Sequence, residues 1–71
     1  MKVQITLETM SDVTEFVSIA TRVPEPVYLV GDDFRVSAKS LLGALCSMEW
    51  NELWCECSVD IYSKIEKFVV L

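Results

Sequence analysis

Hydrophobic and polar positions alternate from the start of the chain. Val3, Ile5 and Leu7 fall on one side of residues 2–8, and Lys2, Gln4, Thr6 and Glu8 on the other, which is the pattern of a half-buried strand. The period then changes. Val13, Phe16, Val17, Ala20 and Val23 recur at helical spacing and predict a helix over about 12–22. Asp12 followed by Glu15 fits a capping box at its start, and Pro24 and Pro26 stop it because neither can continue the hydrogen-bond ladder. Val27 to Val30 is apolar at every position, Gly31-Asp32-Asp33 is a turn signal, and Phe34-Arg35-Val36 resumes the extended pattern. Residues 27–36 therefore read as a hairpin.

Ser37 is a natural helix cap, so a short helix is expected over about 38–46, burying Leu41, Leu42 and Leu45. Gly43 in its interior costs about 1 kcal/mol relative to alanine, which suits a helix held by packing rather than by propensity. The connection that follows carries Met48 and Trp50, two large apolar residues that need cover. On the next strand Leu53, Cys55 and Cys57 point inward while Trp54, Glu56 and Ser58 point outward. Ser58 or Asp60 caps a last helix with the stripe Ile61, Ile65, Phe68 and Val69, leaving Lys64, Glu66 and Lys67 in water. The order is βαββαβα. Each helix has one apolar stripe, so three helices are expected on one face of a four-stranded, mainly antiparallel sheet, an α+β arrangement.

Length and charge narrow the field of functions. Seventy-one residues make one domain, 1–71, with little surplus apolar surface, and a weak homodimer covering part of that surface would suit so small a core. The net charge of −5, with the six basic residues scattered, argues against nucleic acid as a partner. The apolar runs are far shorter than the ~20 residues of a membrane span, and no apolar leader follows Met1-Lys2, so no membrane role and a cytoplasmic location are expected. Three cysteines form no disulfide framework. Cys55 and Cys57 read as buried thiols, and Cys46 would add a third thiolate but no fourth ligand, in a chain without histidine, so no metal and no cofactor are expected.

Around Ser37-Ala38-Lys39-Ser40-Leu41 the chain resembles HPr, the histidine-containing phosphocarrier family of the bacterial sugar phosphotransferase system. The likeness starts at Val3-Gln4-Ile5-Thr6, passes through Phe16-Val17 and reaches Leu53 to Ser58 without a gap. The resemblance implies an open-faced β-sandwich with sheet order 1-4-2-3 and three helices behind it. The family's phosphocarrier chemistry uses a histidine at the start of the first helix, with an arginine and a proline just after it. Thr9 stands at the histidine's position, and Ser11 and Asp12 at those of its helpers. A threonine has no imidazole nitrogen to relay phosphate, and Asp12 would repel a phosphoryl group, so the resemblance implies that this site is inactive.

Ser40 matches the family's regulatory serine, which in Gram-positive relatives a dedicated kinase phosphorylates and a catabolite-repression transcription regulator then reads. With Ser37 as the cap, Ser40 would lie in the first turn, directed at solvent, with Lys39 beside it. The leading expectation is a non-enzymatic HPr-like protein that acts by protein–protein contact in phosphotransferase-system or carbon regulation, through a surface at Lys39, Gly43, Ser47 and Met48. The alternative from another class is a phosphoryl acceptor or carrier working through a residue such as Thr9 or Ser11. Neither has a free general base nearby, because Asp12 is expected to be occupied by its cap. A zinc module would rest on the cysteines alone.

Overall fold

The computed structural model describes residues 1–71. Strand β1 (Lys2–Gln4) leads into α1 (Met10–Arg22), β2 (Val27–Val30), β3 (Arg35–Ser37), α2 (Leu41–Ser47), β4 (Trp54–Cys57) and α3 (Tyr62–Ile65), with a 3-10 turn at Glu66–Phe68. The four strands form one antiparallel sheet in the order β1-β4-β2-β3. The register sets Val3 beside Cys55, and Leu29 between Cys55 and Val36. These residues share the face that the helices cover, because side chains directly opposite on neighbouring strands lie on the same side. Phe16 and Val13 from α1, Ala44 from α2, and Ile65 and Phe68 from the C-terminal region complete the core over Val27, Leu29, Cys55 and Cys57. Phe16 and Phe68 meet edge to face, their centroids 5.4 Å apart.

The other face of the sheet is open, and its aromatic residues are covered by long basic side chains. Lys2 lies over Trp54 and Arg35 over Tyr28, and Arg35 also pairs with Glu56 at 2.8 Å. Outward Trp54 is thus explained by packing within its own face.

Four boundaries differ from expectation, each for a local reason. The first strand ends at Gln4 rather than at residue 8. Beyond it the outer side of the chain pairs with the C-terminal segment: the Thr6 N–H donates to Phe68 O and the Val70 N–H to Gln4 O, with a bridge between Ile5 and Val69. Val69 therefore serves as sheet rather than as helix stripe.

The first helix begins a few residues early, capped by Thr9 instead of Asp12. The Thr9 hydroxyl accepts the Asp12 N–H at 3.0 Å, and the Asp12 carboxylate accepts the Glu8 N–H at 3.0 Å. The hydroxyl half of a capping box is present, between Thr9 and Asp12 rather than Asp12 and Glu15, while the Asp12 carboxylate closes on the Glu8 N–H instead of that of Thr9.

The second helix starts later than expected. Ser37 is the last residue of β3, its hydroxyl accepting the Lys39 N–H in a tight turn, and Ser40 is the cap, accepting the Gly43 N–H at 3.1 Å. This shift changes the buried face. Ala44 and Ser47 enter the core, while Leu41 and Leu42, expected inside, are exposed and Leu45 is only half-buried. Close approach is the cause: a Cβ on Gly43 would stand 3.2 Å from the Cβ of Val36. A helix lying this low over β3 has room for small residues beneath it and none for leucines.

In the last helix no side chain caps Ile61, although the Asp60 carboxylate accepts the Tyr62 N–H one residue on, at 2.9 Å.

Candidate functional site

The two positions singled out by the resemblance lie far apart. Lys39 reaches back so that its ammonium donates to Val23 O at the C-cap of α1, where a cation meets the negative end of the helix. Ser40 therefore sits beside the C-terminal end of α1. Thr9 is at the other end of that helix, which rises about 20 Å over its 13 residues.

At Thr9 the hydroxyl is engaged as a cap and the Asp12 carboxylate is engaged with the Glu8 N–H, while Ser11 is exposed. With no histidine in the chain, no imidazole stands at this end of α1 to relay a phosphoryl group as phosphohistidine.

At Ser40 the hydroxyl is exposed but it is the cap itself, so the expected first-turn placement behind a Ser37 cap is corrected. Lys39, expected beside it, is directed at Val23 and does not flank the hydroxyl.

The surface expected at Lys39, Gly43, Ser47 and Met48 is also rearranged. Ser47 is buried, its hydroxyl donating to Ala44 O at 2.6 Å, Gly43 faces Val36, and Met48 packs against the core. What α2 shows to solvent is Leu41 at 45% exposure, Leu42 at 73% and Cys46. No residue of α2 is charged. Past its end, Trp50 stacks on Phe34, which is 60% exposed, with ring centroids 5.5 Å apart and planes 17° from parallel. Leu41, Leu42 and Phe34 were missed as surface residues because large apolar side chains read as core. The signal available was Ser40 as an alternative cap, which turns Gly43, Ala44 and Ser47 inward.

The cysteines stand apart in role. Cys55 and Cys57 are buried on β4 and Cys46 is on the solvent side of α2. Burial pushes the Cys55 thiol up to about 12, with the neighbouring Cys57 adding to the effect and the amino terminus partly opposing it. A thiol so held is protonated at neutral pH and is neither a nucleophile nor a ready metal ligand. No group of three histidine, cysteine, aspartate or glutamate side chains is arranged to hold a metal ion. No helix is long and apolar enough to cross a membrane. No protein-family model matches the chain, and neither does any curated protein or solved structure.

Proposed function

We propose that the chain is an HPr-like protein without phosphocarrier chemistry that acts as a docking module, presenting the outward side of α2 to a protein partner. The observation that carries this reading is the pair Leu41 and Leu42, adjacent and exposed on an uncharged helix, whereas the other exposed aliphatic residues are Met10 and Val59 at separate places and Val70 and Leu71 at the C-terminus. A small monomer has little reason to hold two adjacent leucines in water unless another surface covers them. The four-stranded 1-4-2-3 sheet and the Ser37-Ala38-Lys39-Ser40-Leu41 segment support the HPr-like part of the reading.

Regulation acts through Ser40 at the edge of this surface. A phosphate there would replace the capping hydroxyl with acceptor oxygens next to Leu41, changing the charge of the docking face while preserving an acceptor for the Gly43 N–H. The partners that suit this reading are a serine kinase and a regulator that reads the modified face.

The test uses intact mass. The protein is incubated with ATP and the kinase that labels HPr, and separately with a phosphohistidine donor. One phosphate from the kinase, lost in Ser40→Ala and slowed in Leu42→Glu, is the expected result, with none from the donor. A protein left unlabelled by the kinase while HPr is labelled in the same tube would remove the regulatory reading. Stoichiometric transfer from the donor would restore the phosphocarrier alternative.

A further inference from the structure

The apolar side of α2 leads into a corner of different chemistry. Because Gly43 crosses Val36 and Trp50 stacks on Phe34, α2 runs back along β3 toward the β2–β3 turn. At helical spacing Leu42, Cys46 and Glu49 form one row, and that row ends at an open cleft of about 190 Å³. The cleft is lined by the Phe34–Trp50 stack together with Asp32, Asp33, Glu49 and Asn51. One face of Phe34 is taken by Trp50, and its 60% exposure leaves the rest open.

The chain's own cations do not serve this corner. Its two ion pairs are Arg35 with Glu56 and Lys67 with Glu15, Lys39 is spent on Val23, Lys2 lies over Trp54, and neither Arg22 nor Lys64 forms an ion pair. Three carboxylates therefore border an exposed aromatic surface with no internal counter-charge.

We infer that the partner covering α2 is an arginine-bearing amphipathic protein segment, whose apolar side chains lie on Leu41 and Leu42 and whose guanidinium enters the Phe34 corner. The inference rests on the docking reading of α2 and adds the chemistry of the occupant. A planar guanidinium fits better than an ammonium. It can lie flat on the ring while its edge N–H groups donate to carboxylates, and it gives up water more readily. Charge complementarity selects this occupant, since a chain of net charge −5 with carboxylates bordering the surface repels nucleic acid, anionic lipid and a second copy of itself.

The test is an amide NMR titration of the wild-type protein with a synthetic helical peptide carrying leucines at i and i+4 and an arginine one turn later. Two control peptides replace the arginine with citrulline or both leucines with serine. The expected result is shifts at Asp32 to Phe34, Leu41, Leu42 and Glu49 to Asn51. Affinity should fall about tenfold with citrulline, and by a similar factor in the Asp33→Asn/Glu49→Gln variant, with a further loss at high salt. Equal affinity for the arginine and citrulline peptides, with the leucine requirement intact, overturns the arginine inference and leaves α2 as the docking face. Indifference to the leucines overturns the docking reading itself. A peptide that shifts none of these amides overturns both.

Discussion

Trp50 lies directly on Gly31: the ring atom Cε3 is 2.7 Å from where a β-carbon on that glycine would be. The contact lets the loop after α2 close over the β2–β3 turn and sets the indole against Phe34. Gly31→Ala is expected to destabilise by about 1–3 kcal/mol, because the atom displaced belongs to a rigid indole and not to the end of a flexible chain. Urea midpoints and the Trp50 indole resonance check this. An unchanged midpoint with an unshifted indole would show that the loop gives way without cost.

The location of the α2 cap is testable in the same way. Ser40→Ala should cost about 1 kcal/mol by removing the acceptor for the Gly43 N–H, while Ser40→Asp keeps an acceptor and should be near neutral. Ser37→Ala should cost less, since its hydroxyl serves only a turn N–H. The reverse ranking in thermal melts would return the cap to Ser37.

The phase of α2 predicts an asymmetry between neighbours. Leu42→Glu should change stability by no more than about 0.5 kcal/mol, as expected for an exposed position. Ala44→Leu, two residues away and fully buried, should cost about 1–3 kcal/mol through overpacking. Denaturant midpoints decide. Comparable losses at both positions would contradict the observed face.

Alkaline stability should report on Cys55. Its thiol ionises at about 12 in the folded chain, raised from 9.0, so the folded state holds the proton longer than the unfolded state does. The stability from this difference is fully present below about pH 9 and is lost as pH rises toward 12, at up to about 1.4 kcal/mol per pH unit. Cys55→Ala should be less stable at pH 7 from the cavity it leaves, and the gap from wild type should narrow between pH 9 and 11. A constant gap across that range would mean that the thiol is not desolvated.

Much of this architecture was legible from period alone. The alternation of Val3, Ile5, Leu53, Cys55 and Cys57 set the buried face of two strands, and the Val13–Phe16–Ala20 spacing set that of α1. Helix starts were less legible because Thr9 and Asp12, or Ser37 and Ser40, are chemically equivalent caps a few residues apart. Choosing between them depends on tertiary contacts such as Gly43 on Val36. The candidate surface depended on that choice. An error in where a short helix starts changes which side it turns to the sheet, and with it which leucines meet water. The acidic corner at Phe34 joins residues from the β2–β3 turn and from the loop after α2, and no local pattern announces that they meet.

The pairing of Ile5 with Val69, flanked by the bonds from Thr6 and Val70, also bears on how copies of this chain coexist at high concentration. An unpaired outer strand is a template on which a second polypeptide can add hydrogen bonds indefinitely. Here the C-terminal backbone already occupies the outer edge from Gln4 to Thr6, where β1 ends. The opposite rim is only three residues long, at β3, and carries Arg35. Removing residues 69–71 would unmask the edge at Gln4–Thr6 and lengthen the open rim that begins at β1. Its first consequence should be concentration-dependent assembly, visible by light scattering before any loss of helix.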